Sequence, residues 1–368
     1  MKKAKTSLWK QDGISIIELM ITMTLVVIVL CLNTDTFGVI FKYSRQTNQA
    51  VGAQMDRAVG LEMLRTDLEH AGYGLPWSFR NAINYQEAAS AGYNDAPSGE
   101  PRALVSGNGA GFKGSDYLVI KSPMVGMSDT SQRWSYIVGG QNPRAWGSND
   151  LANDARVIVV SPQGTGEAYG KHLIMDDTAF FTAFNATSFP EAFSPSAGER
   201  YVIYGVDRDT DLRMPFNRAD YYVASPSKGA RTDDSDGCAP NTGILYKATL
   251  NHKDGNLSLG MPLVDCVADM QVVYGLDTDS DWAINSRTND ISAMTAADIR
   301  AQVREVRVYI LSHEGPRDPS FRYPNEKVII GESKSLGREF TLSTIGTDWQ
   351  NYRWKVTTLV VRTRSLSS

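Results

Sequence analysis

Hydrophobic and polar positions divide the chain into three regimes. From Ile14 to Leu32 the run ISIIELMITMTLVVIVLCL is apolar apart from three hydroxyls, and its only ionisable groups are Glu18 and Cys31. An apolar helix of about 20 residues spans the ~30 Å hydrocarbon core of a bilayer, so residues 14–32 are expected to be membrane-embedded. Lys2, Lys3, Lys5 and Lys10 precede the run, which keeps the basic end cytoplasmic and exports the remainder. No small-x-small cleavage site follows a short apolar core, so an uncleaved anchor fits better than a secretory signal. Beyond this run the pattern becomes one face of a helix. Val51, Met55, Ala58, Leu61, Leu64, Leu68 and Ala71 recur at spacings of three and four. No proline occurs before Pro76. One helix is therefore expected from about Ile14 to about His70, ending near Gly72 and Gly74, with a length of roughly 85 Å.

The third regime has short β-type runs punctuated by Gly and Pro. Tyr117–Lys121, Trp134–Val138, Arg156–Val160 and Arg200–Tyr204 read as strands, as do Tyr221–Ala224, Gly243–Thr249 and Met270–Tyr274. Glu305–Leu311 alternates strictly and reads as half-buried, Glu339–Ser343 reads as a further short strand, and Tyr352–Arg362 reads as a last strand at or near an edge. Residues 81–115 and 276–300 carry few strand signals and are expected to be loops, with a short helix near Ala293–Val303. The fold class is therefore α+β: a long N-terminal helix, transmembrane then amphipathic, packed on a large β-rich C-terminal head. The stem covers residues 14–72 and the head 73–368, with a further division near 205–240.

A formal charge of -4 over 368 residues does not suggest nucleic-acid binding. No GxSxG, HExxH, P-loop or dinucleotide fingerprint occurs, and the protein is not expected to be an enzyme. His172 with Asp176 and Asp177 is the one acid–base grouping, and loop composition explains it equally well. Cys31 lies in the apolar run and reads as a small hydrophobe. Cys238 and Cys266 lie 28 apart in the exported part, as either a disulfide or two free thiols. Neither their spacing nor the compartment suits a zinc site. Alternating aspartates recur at 207–211, 233–236 and 277–281. Asp277, Asp279 and Asp281 offer oxygens that suit calcium, although none of the three runs continues as a twelve-residue EF-hand loop. A solvated turn is the alternative. No other cofactor is implied.

Glu18 is the odd charge, because a carboxylate in lipid is costly unless paired. A cut between Gly13 and Ile14 would create an amine one helical turn before it, suited to pairing within one chain or between neighbours. Here Gly13-Ile14-Ser15-Ile16-Ile17-Glu18-Leu19-Met20 resembles the class III signal of type IV pilins and type II secretion pseudopilins. The resemblance implies that a prepilin peptidase removes residues 1–13 and N-methylates Ile14, and that Glu18 guides assembly. Ile14 departs from the commoner phenylalanine or methionine, and Asp35 stands where major pilins often have a kinking proline. Tip-capping pseudopilins often lack the glutamate.

A second segment, Cys266-Val267-Ala268-Asp269-Met270-Gln271-Val272-Val273-Tyr274-Gly275-Leu276-Asp277, resembles PilW-like minor pilins. Val303–Leu311 and Tyr352-Arg353-Trp354 follow in the order typical of that group and of J-type pseudopilins. Residues 76–240 match no family pattern. The resemblance implies a minor pilin in pilus assembly, initiation or a tip complex, acting by helix packing and head contacts. The alternatives are a J-type pseudopilin of type II secretion and a surface adhesion module at the pilus tip. The implied partners are prepilin peptidase, other minor pilins, the major pilin, a PilY1-like adhesin and the inner membrane. The implied location is the inner membrane with the head in the periplasm, then the pilus at the cell surface.

Overall fold

Continuous helix-compatible sequence without proline produces α1 (Ile16–Glu69), a single helix of 54 residues. The structure is a computed structural model and describes residues 15–79, 83–90, 92–163, 170–225, 237–363 and 366, without the side chains of 32–56, 149 and 163. Gly13, Ile14 and the acidic run 233–236 lie outside the described residues. The chain divides into two compact units, residues 1–52 and 53–368, and α1 runs through the boundary.

In the first unit, Glu18 sits in the first turn of α1, where a carboxylate suits the positive end of the helix dipole. The side chains from Ile16 to Leu30 are exposed. Thr22 and Thr24 donate their hydroxyls to the carbonyls of Leu19 and Met20, at 2.9 and 2.8 Å. Among the described residues, no helix is long and apolar enough to cross a membrane. This corrects the expected fold class: α1 is present, but residues 14–32 are not supported as a transmembrane segment. The inner-membrane anchoring and periplasmic head fall with it. The physical reason lies in composition: the run holds the Glu18 carboxylate together with the hydroxyls of Ser15, Thr22 and Thr24, and a carboxylate is costly in lipid unless paired.

The second unit begins with the end of α1. Gly60, Leu64, Asp67 and Leu68 form its buried face; the expected Leu64 and Leu68 are on it and Leu61 is half-buried, whereas the expected Ala58 is exposed and Gly60, two positions on, is buried. The glycine has a purpose here. A Cβ at Gly60 would lie 2.4 Å from the Leu263 carbonyl oxygen, so the helix backbone rests directly on a strand. Gly72 and Gly74 then take positive φ, 75° and 68°, and turn the chain away from the helix.

Strands β1 (Ser78–Phe79), β2 (Leu104–Gly107), β3 (Tyr117–Ser122) and β4 (Trp134–Val138) follow. Next come β5 (Arg156–Gln163), β6 (Gly170–Leu173), β7 (Thr182–Ala183), β8 (Arg200–Asp207) and β9 (Asn217–Ala224). Then follow β10 (Gly243–Thr249), β11 (Met261–Leu276), β12 (Ser286–Thr288) and α2 (Ala296–Gln302). The chain ends with β13 (Val303–Glu314), β14 (Lys327–Gly331), β15 (Gly337–Thr341) and β16 (Arg353–Arg362).

These strands make two sheets and a hairpin. The smaller sheet runs β1-β6-β5-β8-β4, with β7 beside β5; the larger runs β16-β13-β11-β10-β9-β3-β2, with β12 beside β11. The chain changes sheets between β1 and β2, between β3 and β4, and between β8 and β9. Period-two alternation decides which core each residue enters. On β11, Met270, Val272 and Tyr274 join the main core with Leu64 and Leu68 of α1, while Val273 faces the opposite side. On β5, Ile158 and Val160 face the main core, and Val157 and Val159 face a third cluster with Phe184 and Phe193. The main core is therefore a layer shared by α1 and both sheets. The outer face of the larger sheet is covered by the β14–β15 hairpin, with Ile330 and Phe340 against Leu311 and Trp354. Neither β2 nor β14 is marked by the sequence pattern, whereas the expected strand Glu339–Ser343 overlaps β15.

Candidate functional site

Among the residues singled out in the sequence, Glu18 is exposed in the first turn of α1, and its partner position Ile14 lies outside the described residues. Cys238 and Cys266 are joined in a disulfide with Cα atoms 5.1 Å apart. The bond ties the segment entering β10 to β11. Cys266 has φ 55° and lies within an irregular stretch of the β10–β11 register, so the strand bends where the sulfur turns toward its partner.

His313 stands beside this bridge. Its Nε2 accepts the Ala239 N–H at 2.8 Å and its Nδ1 lies 3.1 Å from the Gly315 carbonyl, so the neutral tautomer with the proton on Nδ1 satisfies both contacts. Burial pushes its pKa down to about 4. Ligand atoms of Cys238, Cys266 and His313 lie within 4.8 Å of one another. A disulfide has no thiolate to offer a metal, so this trio could coordinate a divalent ion only after reduction.

The loop after β11 gathers Asp277, Asp279 and Asp281, each with one carboxylate oxygen within 4.8 Å of the others. The set can coordinate a divalent ion through oxygens alone. Asp277 is buried and already occupied. Its Oδ1 accepts the N–H of Asp281 at 3.2 Å, and its Oδ2 accepts that of Trp282 at 3.0 Å. Arg304 reaches the same Oδ2 at 3.1 Å and lies 4.4 Å from the centre of the Trp282 ring. A cation entering this loop would compete with a guanidinium already in place.

His172 does not build an acid–base group. Its Nδ1 lies 2.5 Å from the Ser78 hydroxyl, across the β1–β6 pair, whereas Asp176 and Asp177 belong to the turn closed by the Asp176–Ala179 bridge.

Two buried ionic groups that sequence reasoning missed position the elements around α1. Asp67 of α1 lies 2.6 Å from Lys247 Nζ on β10 and accepts the Tyr221 hydroxyl of β9 at 2.6 Å. Burial raises its pKa, while the charge and hydrogen bond of Lys247 pull it down in part. Further along, Lys121 of β3 is fully buried between Glu87 at 2.7 Å and Asp95 at 2.6 Å. Arg218 of β9 grips Asp220 through Nε and an NH2 nitrogen, at 2.7 and 2.8 Å, and Tyr117 donates to Asp220 at 2.6 Å. Together these pin the loop before β2 onto the larger sheet. The available signal was a lysine ending the apolar run YLVIK and an Arg-Ala-Asp inside a strand.

Comparison with known proteins gives a partial match. Residues 220–365, from β9 to just past β16, match the family described as Type IV Pilus-assembly protein W. The match thus spans the three larger-sheet strands β11, β13 and β16 that carried the resemblance in sequence. No curated protein matches the chain. Among solved structures, a type IV-like pilin from Thermus thermophilus aligns at 11% identity, covering 86% of this chain and 98% of that one with a TM-score of 0.29. That likeness is too distant to carry an argument. The family match associates the chain in general terms with type IV pili and their assembly machinery, and with a non-catalytic role.

Proposed function

We propose that this chain is a minor pilin that takes part in assembling type IV pili, within an initiating or tip complex. The observation that carries the reading is the match of residues 220–365 to a pilus-assembly family, which favours a pilus over a type II secretion machine. In this reading prepilin peptidase cuts between Gly13 and Ile14 and methylates Ile14, and Glu18 pairs with that amine or with a neighbour's. The exposed apolar side chains from Ile16 to Leu30 supply a surface for the helices of other minor pilins and the major pilin to cover. The head meets the heads of other minor pilins, with a PilY1-like adhesin as a further partner. The all-oxygen donors of Asp277, Asp279 and Asp281 suit a hard divalent cation such as calcium, which would enter against Arg304.

The test uses the full chain expressed with its neighbouring pilins. Gly13→Ala is expected to accumulate at unprocessed size, and Glu18→Ala to be processed but lost from the complex isolated by pull-down of another minor pilin. Normal processing of the first variant, or undiminished co-purification of the second, overturns the assignment.

A further inference from the structure

The edge of the smaller sheet carries an aromatic cluster open to solvent. On β4, Ser135 and Ile137 are buried, and Ile137 joins the core cluster beneath the sheet. The alternate positions face away from it, where a half-buried antiparallel strand ordinarily places polar residues. Here they hold Trp134 and Tyr136, and the following loop brings Trp146 beside them. The indoles of Trp134 and Trp146 remain 39% and 42% exposed. Their ring centres are 5.2 Å apart with planes tilted by 58°, and Tyr136 meets Trp146 edge-on at 5.9 Å. Trp134 and Trp146 line a cleft of about 620 Å³ together with Asp129, Gln132 and Arg133.

The walls are held in place before any ligand arrives. The Arg144 N–H donates to the Tyr136 carbonyl at 2.9 Å, and the Ser135 hydroxyl donates to the Arg144 carbonyl at 2.7 Å. Asp150 accepts the Trp146 N–H, and Arg133 donates to the Asp150 carbonyl. Guanidinium groups also lie over two of the rings, Arg144 at 5.7 Å from Trp146 and Arg200 at 5.2 Å from Tyr136. A prearranged aromatic wall loses little freedom on binding.

We propose that this cleft binds a neutral oligosaccharide. The C–H groups on one face of a pyranose are weakly positive and meet the negative face of an indole. The rim offers both kinds of hydrogen-bonding partner: Arg133 donates, Asp129 accepts, and the Gln132 amide does both. Sugar hydroxyls also donate and accept, so they match such a rim. A phosphate chain only accepts, and it would meet the Asp129 carboxylate. The ring geometry also selects against nucleobases. Inserting a base between the two indoles needs a centre-to-centre distance of about 7 Å, twice the ~3.4 Å stacking rise, and the rings are closer than that and tilted.

The full chain is titrated by calorimetry with chitohexaose, cellohexaose, maltohexaose and lacto-N-tetraose, and separately with a dodecathymidylate. At least one oligosaccharide is expected to bind with an affinity that hardly changes with salt, since no charge is neutralised. Trp134→Ala should weaken that binding by about tenfold or more, as expected for truncation of an aromatic anchor. Asp129→Ala, at an exposed position, should weaken it without moving the thermal melting point. The proposal is overturned if no oligosaccharide binds at concentrations up to about 10 mM, a binding free energy of only a few kcal/mol. It is equally overturned if both variants bind as the native chain does, or if only the dodecathymidylate binds.

Discussion

Lys247→Met tests the anchoring of α1 on the larger sheet and has a distinctive pH signature. Lys247 and Asp67 are both buried, with Nζ and Oδ2 2.6 Å apart. Methionine replaces the aliphatic stem but removes the cation, leaving the Asp67 carboxylate with the Tyr221 hydroxyl at 2.6 Å and the more distant His70. Breaking a buried pair from one side costs about 3–5 kcal/mol because an uncompensated charge remains. The folded-state pKa of Asp67 is already raised by burial, and Lys247 is the chief group pulling it back. Without the lysine it rises further above its unfolded value. A carboxyl with a raised folded pKa contributes stability below its unfolded pKa and loses it as pH rises through the folded pKa. The penalty should therefore be near the full 3–5 kcal/mol at about pH 7.5 and fall to about 1 kcal/mol, a lost hydrogen bond, at about pH 4. Urea unfolding followed by circular dichroism at both pH values measures it. Lys247→Met combined with Asp67→Asn should recover most of the loss at the higher pH. Equal penalties at the two pH values, or a loss below about 1 kcal/mol at the higher one, would refute the reasoning.

Three further outcomes are expected. Replacing Cys238 and Cys266 together by serine opens a 28-residue separation and should cost about 3–4 kcal/mol in urea unfolding; a loss under about 1 kcal/mol would mean that the bridge closes no otherwise free loop. Asp269 is buried against Arg338, and burial raises its pKa to about 6. Its contribution to stability is present at low pH and lost as pH rises through about 6, so Asp269→Asn should flatten the stability profile between about pH 4 and 7, by up to ~3 kcal/mol. An unchanged profile counts against that assignment. At the acidic loop, Arg304→Ala should free Asp277 and strengthen calcium binding relative to the native chain, read as a larger calcium-induced rise in melting temperature. No difference between the two would separate Arg304 from the cation-binding oxygens.

Much of the architecture was legible because it depends on local pattern. Strict alternation in Glu305–Leu311 marked β13, and the proline-free run with its glycine stop marked α1. Other features were hidden for physical reasons. β11 was foreseen only over Met270–Tyr274 but runs Met261–Leu276, because the bend at Cys266 interrupts the alternation by which a strand is recognised. β15 was marked as Glu339–Ser343, but its partner β14, in a separate two-stranded hairpin, has a mixed composition that resembles a loop. Hydropathy alone predicted a membrane helix, and the described part of α1 does not meet the length and apolarity that this requires.

The candidate site divides along the same line. Gly13, Ile14 and Glu18 form a linear motif, so their meaning could be read in order along the chain. Asp67 with Lys247, Lys121 with Glu87 and Asp95, and Trp134 with Trp146 become meaningful only when folding brings distant positions together and removes water from around them. The sequence by itself determined the long helix, the β-rich body and the resemblance to pilus-assembly proteins, because these rest on periodicity and short-range motifs. Only the tertiary structure decided that Gly60 and Asp67 of α1 meet the sheet, which charges are paired and where aromatic rings remain open to solvent. Burial and pairing depend on distance in space, and the order of residues along the chain does not encode that distance.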